Sequence, residues 1–86
     1  MRVTVRFYAR LRDLAGCRQH TCEVPDGATV ADVWRACTRA YPAIAVLDGR
    51  VSCAVNDDFS TTAAPIHDGD EVAFLPPVSG GNGTEP

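Results

Sequence analysis

The first eight residues alternate. Val3, Val5 and Phe7 point one way and Arg2, Thr4, Arg6 and Tyr8 the other, the period-two pattern of a strand with one buried face. Leu11, Leu14 and Ala15 then fall at helical spacing, and Gly16 suits the left-handed position that closes a helical turn, so residues 9–15 read as a short helix. Alternation returns over 19–24, with Cys22 and Val24 inward, until Pro25-Asp26-Gly27 forces a turn; these two strands are expected to pair as a loose hairpin. Thr29 followed by Asp32 fits the start of a helix, the acid sitting at the positive end of the helix dipole. Val30, Val33, Trp34, Cys37 and Tyr41 form one apolar stripe on it, Asp32, Arg35 and Arg39 take the wet side, and Pro42 is expected to stop it.

The second half is less regular. Residues 43–47 read as an apolar connector leading into a turn at Leu47-Asp48-Gly49-Arg50. Val51, Cys53 and Val55 alternate inward as a third strand that ends in the turn residues Asn56-Asp57-Asp58, and 60–65 has no strong period. Asp68-Gly69-Asp70 is a tight turn before a last strand, Glu71 to Leu75, with Val72 and Phe74 inward. The order β-β-α-β-β predicts an α+β fold: a mixed sheet of four to five strands covered by one main helix, with the first and last strands as parallel neighbours at its centre. In that phase Leu75 shares the outer face with Ala73, Ala54 and Tyr8. A thinly polar face of this kind marks a partner surface.

Size and charge narrow the function. A chain of 86 residues makes one domain, and at that length only about 60–65% of the unfolded chain's surface can be buried. An independent enzyme with a full cleft is therefore disfavoured. The net charge of −3 argues against a nucleic-acid binder, which would carry a basic stripe. All eight basic residues are arginine, five of them before Gln19, whereas seven of the eleven acids follow Leu47. No run approaches the roughly 20 apolar residues of a membrane span, and strand-like sequence begins at Met1, so a cytoplasmic protein without signal peptide or anchor is expected. Cys17, Cys22, Cys37 and Cys53 have no CxxC spacing and read as free thiols, three in the core and Cys17 in a loop.

Conventional chemistry has no candidate. His20 and His67 lack a ligand at metal spacing, the acids at 57–58 and 68–71 are explained by turns, and no nucleophile, acid/base pair or phosphate loop is evident. What remains is the end of the chain, Pro76-Pro77-Val78-Ser79-Gly80-Gly81. Consecutive prolines hold an extended arm, and the glycines Gly80 and Gly81 remove every side chain at its tip. Such an arm reaches roughly 20 Å at about 3.3–3.6 Å per residue. It can enter another protein's active site, where a terminal carboxylate can be activated as an acyl-adenylate and displaced by sulfur. The chain reads as a domain over 1–75, an arm over 76–81 and an extension over 82–86.

Val5-Arg6-Phe7-Tyr8-Ala9, Asp13-Leu14-Ala15-Gly16, Ala54-Val55-Asn56 and above all Asp68-Gly69-Asp70-Glu71-Val72-Ala73-Phe74-Leu75-Pro76-Pro77-Val78-Ser79-Gly80-Gly81 resemble the small subunits of molybdopterin synthase (MoaD type), among the ubiquitin-like β-grasp sulfur carriers. The resemblance implies a β-grasp fold and no bound cofactor. It implies two partners: an ATP-using adenylyltransferase similar to ubiquitin-activating enzymes (MoeB-like), which activates Gly81 for thiocarboxylate formation, and the large synthase subunit (MoaE-like), which takes the sulfur into molybdopterin. Phe59 and Leu75 match apolar interface positions of the family, and no catalytic side chain is expected on this chain. In the family pattern the second glycine is the last residue, whereas Asn82-Gly83-Thr84-Glu85-Pro86 follows it here. A processing peptidase would free Gly81; a carrier for another pathway, of cysteine or thiamin type, and a non-carrier β-grasp interaction domain are the alternatives.

Overall fold

The computed structural model describes residues 1–77. Five strands, β1 (Arg2–Phe7), β2 (Gln19–Glu23), β3 (Ser52–Val55), β4 (Asp58–Ser60) and β5 (Glu71–Leu75), form one sheet in the order β2-β1-β5-β3-β4. Two helices, α1 (Arg10–Ala15) and α2 (Val30–Ala40), and a 3-10 helix (Pro42–Leu47) complete the domain. The β1–β5 pair is parallel and the other three are antiparallel, as a β-grasp sheet requires.

Register explains the core. Val5 lies opposite Val72 and Phe7 opposite Phe74 across the central parallel pair, while Val55 and Cys53 continue these rows on β3. All of these side chains except the half-buried Val55 are buried, and they face α2, whose Val30, Val33, Trp34 and Cys37 are buried in turn. The Trp34 ring meets Phe74 edge-on at 5.0 Å between centroids, and its indole N–H donates to Asp48, so the polar end of the largest core side chain is satisfied at the margin.

Helix α2 starts where expected. Asp32 reaches back to accept from the Thr29 backbone N–H at 2.9 Å, and this hydrogen bond, followed by the one from Arg35, holds the Asp32 carboxyl below its ordinary pKa. The next N–H groups find partners outside the helix: Val30 donates to Ala64 O at 3.0 Å and Ala31 to Thr62 O at 2.9 Å. The stretch 60–65, featureless as sequence, thus satisfies the orphan donors of a helix thirty residues earlier in the chain.

Three expectations are corrected. Residues 43–47 are not an irregular connector but part of the 3-10 helix, which buries Ile44 and Leu47 at the i, i+3 spacing natural to that helix. Pro42 opens it rather than merely ending α2. The apolar stripe of α2 does run on to Tyr41 at the C-cap, which is half-buried against the core with its ring edge-on to Phe7 at 5.8 Å between centroids and its hydroxyl 3.0 Å from His20 Nδ1. Finally, Asp58 belongs to β4; only Asn56 and Asp57, with φ of 50° and 72°, form the turn between β3 and β4, the left-handed pair that a two-residue hairpin needs.

Candidate functional site: the open sheet face and the root of the arm

One side of the sheet packs on the helices and the other is open. Across the open side, pairing places Gln19, Arg6, Ala73, Ala54 and Phe59 in one row, and Leu75 and Ser52 lie in the next. Ala73, Leu75 and Ala54 therefore share one face as expected, with Phe59 beside Ala54 on β4, and Tyr8, whose backbone N–H donates to Phe74 O at 3.3 Å, continues β1 alongside Leu75 although it lies 67 residues earlier in the sequence. Their exposures differ. Phe59 is 79% exposed and Tyr8 45%, Ala73 and Leu75 are half-buried, and Ala54 is buried although it points away from the core cluster. Two alanines side by side make a low floor beside a projecting phenylalanine, a shape that admits another protein's side chains. Arg6 and Glu71 pair across β1 and β5 and border this floor with one charge of each sign.

The arm leaves from the centre of the sheet. Strand β5 is held on both sides, by β1 and β3, up to Leu75; Pro76 is half-buried and Pro77 exposed. The start of β5 is tied down separately. Asn56 Nδ2 donates to Asp70 Oδ1 at 3.0 Å, and Asn56 Oδ1 accepts from the Glu71 backbone N–H at 3.0 Å. Together with the His67 backbone N–H, these contacts hold the Asp70 carboxyl below its ordinary pKa, the Asn56 hydrogen bond being the main cause. Val78, Ser79, Gly80 and Gly81 lie outside the described residues.

Sequence reasoning missed a cleft beside the arm's root, lined by Ala9, Arg10, Leu47, Arg50, Pro76 and Pro77. It is assembled from three distant segments, and no spacing pattern could have revealed it.

The thiols divide as the sequence suggested. Burial pushes Cys37 up to about 12 and raises Cys22 and Cys53, so the core thiols stay protonated. Cys17 is half-exposed beside Tyr41, whose hydroxyl pKa is raised by a hydrogen bond with that thiol and then by burial. Among the described residues no group of three or more His, Cys, Asp or Glu could hold a metal, and no helix is long and apolar enough to cross a membrane.

A helix packed by its apolar stripe against one side of a five-stranded mixed sheet, with the other side open and the chain leaving the central strand at Pro76, defines a ubiquitin-like β-grasp protein. The chain belongs to the ThiS family, whose pattern matches residues 5–81. It is 37% identical over 82 residues to the molybdopterin synthase sulfur carrier subunit of Escherichia coli (strain K12), covering 92% of this chain and 99% of that protein. Its fold superposes on SAMP1 from Haloferax volcanii with a TM-score of 0.84, at 28% identity, over 93% of this chain and 99% of that one. It also matches a chain of the complex of subunits 1 and 2 of the molybdopterin-converting factor from Helicobacter pylori 26695, with a TM-score of 0.66 at 25% identity, covering 93% and 99% respectively.

Proposed function

We propose that this chain is a sulfur carrier for molybdopterin synthesis, whose working form ends at Gly81. One observation carries the reading: the family match runs to residue 81 and stops on the second glycine, and β5 delivers the chain toward that glycine from the best-anchored position in the sheet. The chemistry is that of a carboxylate, not of a side chain. A peptidase removes Asn82 to Pro86 and leaves the Gly81 carboxylate. In an adenylyltransferase of MoeB type, a carboxylate oxygen attacks the α-phosphorus of ATP and pyrophosphate leaves. A sulfur donor then displaces AMP, leaving the thiocarboxylate. Splitting one hard substitution into two easier ones is what the adenylate achieves. The thiocarboxylate sulfur, carried on the arm into a large subunit of MoaE type, attacks the pterin precursor.

The domain contributes recognition. Phe59, Tyr8, Ala73 and Leu75 form the surface by which both partners hold it, and Pro76 and Pro77 stiffen the exit of the arm. Relatives that function as the small subunit of a two-subunit enzyme support the view that this chain acts as a co-substrate and has no turnover alone.

Intact mass tests this directly. After incubation with the cognate adenylyltransferase, ATP and a sulfur donor in cell extract, the chain should lose Asn82 to Pro86 and gain about 16 Da by exchange of oxygen for sulfur. A full-length chain that supports molybdopterin synthesis without trimming refutes the role of Gly81. The likeness to an archaeal modifier protein favours one second reading, transfer of the activated carboxylate to an amine of another protein. It predicts conjugates of higher mass in place of the free thiocarboxylate.

A further inference from the structure

The cleft at the root of the arm has a composition that the carrier chemistry does not require. Its floor includes Leu47, which is 1% exposed, and Pro76, Pro77 and Ala9 supply apolar walls. Two exposed guanidinium groups frame it, from Arg10 at the start of α1 and Arg50 just before β3. Among the described residues, Arg2, Arg6 and Arg35 are each paired with an acid, whereas Arg10 and Arg50, like Arg12, Arg18 and Arg39, form no ion pair, and of these five only Arg10 and Arg50 line this cleft. Two unpaired cations over an apolar floor favour a ligand that brings both carboxylate and hydrocarbon.

The backbone adds an independent sign. Ala9 has φ 51° and ψ −126°, a conformation that glycine enters freely and an L-residue does not. It is held there by the turn that starts α1, in which Leu11 N–H donates to Tyr8 O at 3.1 Å and Arg12 N–H to Ala9 O at 3.0 Å, with Leu11 fully buried. The strained residue is the one that turns the chain out of β1 and sets Arg10 at the cleft's edge. Backbone strain clusters at functional sites, and here it falls on a residue that itself walls the cleft.

We infer that this cleft is a docking notch for an acidic segment, carrying an apolar side chain, of the protein that receives the arm. The inference rests on the reading above that another protein takes up Gly81. The notch adjoins the open-face patch through Pro76 and Leu75, so one partner surface covers both. Arginine forks match carboxylates two bonds at a time, and an apolar floor excludes water from that pairing. The notch thereby supplies orientation: it fixes the angle at which the arm enters, which the flat alanine floor cannot do alone.

The test uses the full chain with the cognate adenylyltransferase and, separately, the cognate large synthase subunit, measuring affinity by calorimetry at two salt concentrations. R10E/R50E should weaken binding to at least one of them by about tenfold or more and flatten its salt dependence, with an unchanged melting temperature. R39E, on α2, should leave both affinities unchanged. Equal binding of R10E/R50E and the parent chain to both proteins overturns the notch. So does a cleft that saturates with inorganic phosphate in an NMR titration without any effect of R10E/R50E on either protein, or one that serves only self-association. Thiocarboxylate formation at Gly81, read by mass on the same preparations, tests the carrier reading separately.

Discussion

Replacing Phe59 and Phe74 by alanine, one at a time, removes the same side chain from opposite faces of one sheet. Phe74 is fully buried between β1 and β3 and stacked edge-on against Trp34. Its loss removes apolar burial and leaves a cavity, which costs about 3–5 kcal/mol for a phenylalanine. A domain of this size has a total stability of about 4–12 kcal/mol, and each kcal/mol moves its melting temperature by about 4–8 °C. F74A should therefore melt at least about 12 °C lower or fail to fold. Phe59 is 79% exposed and supports nothing beneath it. F59A should change stability by less than about 0.5 kcal/mol. Its effect belongs to binding. Covering the exposed part of a phenylalanine removes about 150 Å² from water, a ceiling near 4 kcal/mol at about 25 cal/mol per Å². Ordering and imperfect fit reduce that to about 2 kcal/mol, roughly thirtyfold in affinity for a partner that docks on the open face. Thermal melts and calorimetry with the two cognate partners check both halves. F59A melting more than about 8 °C below the parent chain, or binding both partners with parental affinity, would refute the assignment of that face.

Further outcomes follow from local geometry. A9G relieves a strain of about 1–3 kcal/mol and adds about 0.5–1 kcal/mol of chain entropy, so it should raise stability by about 1 kcal/mol in a urea melt. N56A loses two hydrogen bonds and puts alanine at a φ of 50°, and should cost about 2–4 kcal/mol, with N56G recovering the backbone part. Asp32 and Asp70 both have folded pKa values below the ordinary 3.8, so the unfolded chain binds protons more readily. Their contribution is complete above the ordinary value and is lost as pH falls through the folded values; D70N should flatten the fall in stability between about pH 5 and pH 2. Of the four thiols, Cys17 should react promptly with Ellman's reagent and the three core thiols only on unfolding.

How much was legible depended on how each element is stabilised. Strand β1 and helix α2 announce themselves because each buries one face over several periods, and Val3, Val5 and Phe7, like Val30, Val33 and Trp34, must repeat at the spacing of their element. The 3-10 helix leaves no periodic trace in the sequence because a single pair, Ile44 and Leu47, is too short to display a period, and Pro42 is compatible with ending one helix or opening another. Strand β4 exists by pairing with β3, not by burying anything: Asp58 and Phe59 are exposed, so no alternation marks it. The outward phase of Leu75 and Ala73 followed from Phe74 and Val72 facing inward, and on that point sequence and structure agree. Arg10, Leu47 and Arg50 meet only through tertiary packing, which no one-dimensional pattern encodes.

The position of β5 also has a mechanical side. It lies between β1, which runs parallel to it, and β3, which runs antiparallel, and the arm continues directly from its end. A pull on the arm is directed along the strand, so the hydrogen bonds to both neighbours resist together in shear instead of opening one after another as an edge strand would. On the proposed route, an enzyme that draws on the tail, and a second that does so later, would leave the domain folded outside as a handle. The sheet is thereby a strain relief for the chain that follows it, and on the proposed route it would let the carrier be threaded and withdrawn repeatedly without refolding.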